Sequence, residues 1–150
     1  PWEVIPFLFG LFIVIESLAS NGWTELLGSQ ISKVTWSPII SIFAVCLLAS
    51  LATGFMNNYP MTLFFVGALQ RTSFTASTAK LGSTLAVIAG SNLGANFTLI
   101  GALAGLMWAK ILSDKGHPIS FKEFSKYGFL IMPIVIAVTC IVLSIELMIF

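Results

Sequence analysis

The chain has 150 residues, of which 57 % are hydrophobic and 9 % charged, and its formal net charge is +1. Soluble domains carry ~25 % charged residues, so this composition, with a mean hydropathy of +1.00, excludes a soluble globular domain and predicts an integral membrane protein. Nothing in it resembles a nucleic-acid footprint, and no nucleic-acid partner is expected.

The chain opens at Pro1 with no basic stretch or cleavage site, so no signal peptide is expected. A length of 150 residues holds only about five or six membrane passes at ~20 residues each, which predicts one domain over residues 1–150 belonging to a longer polytopic protein. Val4–Ala19 is an apolar run with one acid, Glu16, near its end; Trp2 and Trp23 suit the two interfaces. Ser20–Ser37 is polar and reads as a loop with a short amphipathic helix at the surface. Pro38 opens a second apolar run, Ile39–Met56, which closes at Asn57-Asn58-Tyr59-Pro60. The next arm, Met61–Leu69, is far below the ~20 residues of a spanning helix. Either Ile39–Leu69 is a re-entrant hairpin, the preferred reading, or Ile39–Met56 spans and only the short arm re-enters. Pro60 suits the first position of the returning helix, with Asn58 or Tyr59 as its cap.

Gln70–Lys80 is a short polar connection. Leu81–Ala89 and Phe97–Leu112 are two apolar half-helices around Gly90-Ser91-Asn92-Leu93-Gly94-Ala95-Asn96, and together they span once. Gly101 and Gly105, four apart, form a small-residue face for contact with a neighbouring helix. Ser113–Lys126 is the most charged stretch, dominated by lysine, and by the positive-inside rule it is cytoplasmic. Its His117 reads as a solvated surface histidine. Tyr127–Phe150 is the last span, with a bend at Pro133. Counting back, Ser20–Ser37 and the mouth of the hairpin lie outside. Glu16 and Glu146 sit at interfaces, and Cys46 and Cys140 read as small core hydrophobes rather than a disulfide.

The two polar islands carry the functional reading. Asparagine in hydrocarbon is costly unless it is paired or faces a cavity. Each island alone could be an ordinary turn or loop; two of them, each hemmed by short apolar arms, point to the binding site of a secondary transporter. A helix expected to end at Gly90 leaves carbonyls bare, and one expected to start at Phe97 under an Asn96 cap presents N–H donors. Carbonyl ends would coordinate a cation while N–H ends greet an anionic or polyhydroxylated substrate. Asn57, Asn58, Asn92 and Asn96 each donate and accept, and Ser91 and Thr98 add hydroxyls.

At these residues the chain resembles arsenite-efflux permeases of the ion transporter superfamily, which also holds citrate and dicarboxylate symporters and sodium–proton antiporters. The strings are Met56-Asn57-Asn58-x-Pro60, Gly90-Ser91-Asn92-Leu93-Gly94, and Thr98-Leu99-Ile100-Gly101-Ala102-Leu103-Ala104, with Trp108-Ala109-Lys110-Ile111-Leu112 and Ile119-Ser120-Phe121 beyond them. The resemblance implies an all-α integral membrane fold, with a re-entrant helical hairpin plus a discontinuous transmembrane helix. The chain would be the C-terminal half of an inverted-repeat secondary transporter. It implies a hairpin tip at Asn57, Asn58 and Pro60, and a broken-helix loop at Gly90, Ser91, Asn92, Gly94 and Thr98. The family pattern has an Asp after Gly-Ser or Gly-Cys and Pro-Lys after the second Gly, where this chain has Asn92, Ala95 and Asn96.

The expected function is export of a small inorganic or organic anion, arsenite or antimonite first, by alternating access across the inner cell membrane. A sodium-coupled di- or tricarboxylate symporter and a sodium–proton antiporter stay open, as do, from other classes, a channel and a structural subunit. An intramembrane enzyme would need a nucleophile–base pair or paired acids at membrane depth, and the apolar segments offer neither. The expected partners are the N-terminal half of the same transporter, the lipid bilayer and the small-anion substrate, with a homodimer left open. No cofactor is expected beyond a coupling ion, Na+ or H+.

Overall fold

The structure, a computed structural model, describes residue 2 and residues 4–149; Pro1 and Phe150, the ends of the first and last segments, lie outside the described residues. Among the described residues there are seven helices and no strand: α1 (Val4–Ser20), α2 (Trp23–Ser32), α3 (Pro38–Phe55), α4 (Asn58–Gln70), α5 (Ser77–Gly94), α6 (Leu103–Asp114) and α7 (Phe121–Ile149). By length and composition α3 and α7 can each cross a membrane, and α1 with α2, bent by 67° between them, form either a broken third crossing or a re-entrant loop. At 18 residues α3 is about 27 Å long. The 29 residues of α7 reach about 43 Å, more than the ~30 Å of a hydrocarbon core, so its lysine-bearing first turns extend past the apolar part.

Local chemistry accounts for some of the helix ends. The Ser37 hydroxyl accepts from Ile40 N at 3.5 Å, and Pro38 takes the first helical position, where no N–H is needed. The expected surface helix within Ser20–Ser37 is α2, entered through Gly22 at φ 81°. Two boundaries lie upstream of expectation: α5 starts at Ser77 rather than Leu81, and α7 at Phe121 rather than Tyr127. The polar stretches Ser77–Lys80 and Phe121–Lys126 are helical all the same, because a helix satisfies its own backbone whether its side chains face water or lipid.

The α3–α5 pair forms the centre of the molecule. α5 buries Ala79, Gly82, Ser83, Ala86, Val87, Gly90, Ser91 and Gly94, a stripe that repeats every third or fourth residue. α3 answers with Ser41, Ile42, Val45, Cys46, Ala49, Ser50, Thr53 and Gly54. Between helices in lipid, contact rests on close van der Waals packing, which small residues permit. A Cβ at Gly90 would lie 2.5 Å from the Cys46 carbonyl oxygen, and one at Gly94 would lie 2.2 Å from that of Ser50. Two buried hydroxyls bond back to their own helices: Ser50 to Cys46 O at 2.6 Å, Ser144 to Cys140 O at 2.7 Å.

Here the helix break departs from expectation. α5 runs unbroken through Gly90–Gly94, and the irregular stretch is 95–102. Gly90 therefore does not end a half-helix, and Asn96 does not cap one starting at Phe97; α6 begins at Leu103 after Ala102. The physical reason is the α3 contact, which needs glycine inside the helix at 90 and 94. Nor does Gly101 lie on a helix face. It sits in the break, where a Cβ would lie 2.5 Å from the Ala95 carbonyl oxygen of its own chain. α6 has no buried residue, and α7 covers α3 and α5 through Ile136, Cys140 and Ser144.

Candidate functional site

The turn between α3 and α4 meets the break between α5 and α6. Asn57 caps α4, its Oδ1 accepting from Tyr59 N at 3.2 Å. This corrects the expected cap at Asn58 or Tyr59 and puts Pro60 third in the helix, still within the turn whose N–H groups have no intrahelical partner. The Asn58 N–H donates to Gly101 O at 3.0 Å, and the Thr98 hydroxyl donates to Gly54 O. On its other side the break rests on α7. The Phe97 and Phe129 rings stack with centroids 4.9 Å apart, and a Cβ at Gly128 would lie 2.4 Å from the Asn96 carbonyl oxygen.

Thr98 is buried, as is the carbonyl it serves, so Thr98→Val removes a real crosslink between turn and break. A cost of about 1 kcal/mol follows, to be read as a lower melting temperature of the detergent-purified protein.

Bare backbone ends do not make this site. The Asn58 and Tyr59 N–H groups are taken, Pro60 has none, and Met61 N donates to Asn57 O. At the end of α5, Leu93 O and Gly94 O accept from Asn96 N and Phe97 N at 3.1 and 3.0 Å. The expected carbonyl and N–H poles are thus largely satisfied within the chain. Side chains remain: Asn57 Nδ2, Asn58 Oδ1 and Thr53 Oγ1 are buried without a hydrogen-bond partner. Leaving such an atom unpaired costs ~1–3 kcal/mol. An amide donor, an amide carbonyl and a hydroxyl, all within six residues, are thus left able to pair with a partner that both donates and accepts.

Asn58 also opens onto a cavity of about 300 Å³, lined with it by Phe12, Tyr59, Thr62, Leu63 and Asn92. That cavity joins the two polar islands, one through Asn58 and the other through Asn92. A longer cleft of about 530 Å³ shares Phe12 and Leu63 with it and continues between α1 and α4 to Glu16 and Thr24. The inner cavity has no charged side chain in its lining; Glu16 brings one to the outer cleft.

The other expected site residues have different surroundings. Gly90 and Gly94 pack on α3, and Ser91 is buried with its hydroxyl on Ile88 O at 3.3 Å. Pro60 is buried at the start of α4. Asn96 faces away from Asn92's cavity, lining another of about 320 Å³ with Trp108, Glu123 and Tyr127; its Nδ2 donates to Asn92 O and Leu93 O at 3.3 Å. Thr53 and Thr62 carry no signal in the sequence, and Tyr59 reads there only as a candidate cap. Thr62 is one helical turn from Asn58, a spacing that identifies it once the returning arm is read as a helix. Among the described residues no three His, Cys, Asp or Glu side chains group to hold a metal ion.

A model of the arsenical pump membrane protein family matches residues 1–147. The arsenical pump membrane protein of Yersinia enterocolitica is 32 % identical over 149 residues, covering 98 % of this chain and 34 % of that protein. The protein of the same name in Escherichia coli (strain K12) is 32 % identical over 153 residues, with the same 98 % and 34 % coverage. The human P protein is 31 % identical over 139 residues, covering 87 % of this chain and 17 % of its own length. The chain therefore spans about a third of the arsenical pump proteins it matches. No solved structure matches it.

Proposed function

The chain belongs to the arsenical pump membrane protein family, and from that premise we propose that it supplies one side of the substrate pathway of a secondary transporter that exports arsenite or antimonite. In this reading α3 and α4 form a re-entrant hairpin and α5 with α6 a discontinuous transmembrane helix. A second, inverted unit in the rest of the protein completes the site, and the two alternate access across the inner cell membrane. The observation that carries the reading is the junction of turn and break, with Asn57 Nδ2, Asn58 Oδ1 and Thr53 Oγ1 buried and unpaired. Arsenous acid is a neutral trihydroxy molecule at neutral pH, and its three hydroxyls donate and accept as amides do. An inner cavity without charge suits it, and nothing in the cavity calls for bond-breaking chemistry on the solute.

A sodium-coupled carboxylate symporter is the second reading. It is favoured by Asn92, Ala95 and Asn96 standing where the resembled pattern has an acid and Pro-Lys. Everted vesicles carrying the full-length protein separate the two. Antimonite is expected to accumulate when a proton gradient, acid inside, is imposed, and to be indifferent to sodium. Sodium-dependent uptake of a dicarboxylate with no antimonite flux would replace arsenical export with the second reading.

A further inference from the structure

The groove between α3 and α7 holds a cavity of about 530 Å³ whose lining has no charged, hydroxyl or amide side chain. It follows α3 from Ile39 to Leu51 and α7 from Phe129 to Cys140, and Phe97 of the break joins it. The two helices run antiparallel. A Cβ at Gly82 would meet both Ile42 and Leu147, whereas those at Gly54 and Gly128 would both meet Phe97. Phe97 and Phe129 therefore mark the end of the groove nearest the start of α7. The lined lengths, about 18 Å on α3 and about 17 Å on α7, are close to the ~15 Å that one leaflet gives to a ~30 Å hydrocarbon core. Spread over that length, the cavity of about 530 Å³ is a trough about 6 Å across, and a helix with its side chains is ~10–12 Å wide. A single hydrocarbon chain fits it, and a helix from the rest of the protein does not.

The start of α7 brings the charge. Lys122, Lys126, Phe129, Pro133, Ile136 and Cys140 follow one another at alternating steps of four and three, the spacing of one helix face. Both lysines are exposed and stand on the groove's own face, one and two turns beyond its end. Among the described residues the one ion pair is Arg71 with Glu25, so neither lysine is held by a carboxylate. Lys126 Nζ lies 5.9 Å from the Tyr127 ring centroid, and Glu123 is on the neighbouring face, in the Asn96 cavity. We propose that the groove and its two lysines bind an anionic phospholipid, with one acyl chain between α3 and α7 and the phosphate against Lys122 and Lys126. The chain reaches Phe97, which stacks on Phe129, and so braces the break that holds the Thr98 bond to Gly54 O. This site is separate from the Asn58 cavity and independent of which solute is transported.

The full-length protein, purified in detergent, is titrated with dioleoylphosphatidylglycerol and, separately, with dioleoylphosphatidylcholine, which has the same chains and no net charge. Native mass spectrometry counts the bound lipid, and a thermal melt reads its effect. Phosphatidylglycerol is expected to bind about tenfold more tightly and to raise the melting temperature further. Lys122→Gln combined with Lys126→Gln removes that preference. Ala137→Phe, which fills the groove from an exposed position on its lining, weakens the binding of both lipids. Equal binding of the two lipids by the wild-type protein would overturn the proposal even if no variant folds. A preference unchanged in the double lysine variant, or phosphatidylglycerol binding unchanged in Ala137→Phe, would overturn it too, by locating the headgroup or the acyl chain elsewhere.

Discussion

Gly94→Val is expected to prevent accumulation of folded protein in the membrane, and Gly94→Ala to lower its melting temperature by ~5–10 °C. A Cβ at this position would lie 2.2 Å from the Ser50 carbonyl oxygen, 2.4 Å from its Cα and 2.6 Å from its carbonyl carbon. All three are backbone atoms, so no side chain can rotate away and α3 must move as a body. Forcing extra atoms into a packed contact costs ~1–3 kcal/mol and sometimes more, and in a domain of this size each kcal/mol is worth ~2–4 °C. Gly90→Ala has the same sign, its Cβ meeting the Cys46 carbonyl oxygen at 2.5 Å. Gly10→Ala serves as the control, because a Cβ there meets nothing within 4 Å. The measurement is the thermal melt of detergent-purified protein together with the yield of monodisperse material. If Gly94 served a bound solute rather than α3, Gly94→Ala would melt as wild type does and fail only in transport.

The same glycine explains where sequence reading succeeded and where it slipped. Apolar run lengths were enough to find α1, α3 and α7, and the polar stretch after α1 contained its short helix. The two polar islands were legible as places where the chain turns or breaks. The position of the second break was not. Gly-Ser-Asn-Leu-Gly reads as a helix breaker by residue type, yet Gly82, Ala86, Gly90 and Gly94 are spaced by four, the interval of a helix contact face. Both readings use glycine, and only the partner helix decides between them. Asn92 fits inside the helix because its Nδ2 donates to Ile88 O at 2.7 Å, one turn back. The break itself is fixed at long range, by Thr98 on Gly54 O and Asn58 N on Gly101 O, and no local pattern encodes either bond. Thr53 was invisible for a similar reason. In an apolar run a threonine reads as a hydroxyl bonded to its own helix, and only the folded chain leaves its oxygen without a partner.

Asn58→Ala is expected to leave the melting temperature unchanged or slightly raised while cutting transport at least about tenfold. The two effects part because backbone and side chain do different work at this residue. Its N–H donates to Gly101 O and its carbonyl accepts from the Thr62 hydroxyl, and both bonds survive in alanine. The side-chain Oδ1 is buried without a partner, so removing it relieves a desolvation cost of ~1–3 kcal/mol instead of adding one. A ligand that fills that vacancy loses its bond in the variant, and ~1.4 kcal/mol of lost binding is a factor of ten. Asn57 separates the same roles in the other direction. Asn57→Ala loses the cap on Tyr59 N, about 1 kcal/mol, along with the unpaired Nδ2. Asn57→Ser keeps a hydroxyl oxygen that can cap α4 without adding a charge and removes the amide group, so it should fold and still fail to transport. Initial rates of antimonite uptake into everted vesicles, normalised to folded protein, read both. Wild-type rates in Asn58→Ala, Asn57→Ser and Asn92→Ala together would mean that the cavity between the turn and α5 is not on the solute's route, however well its amides suit one.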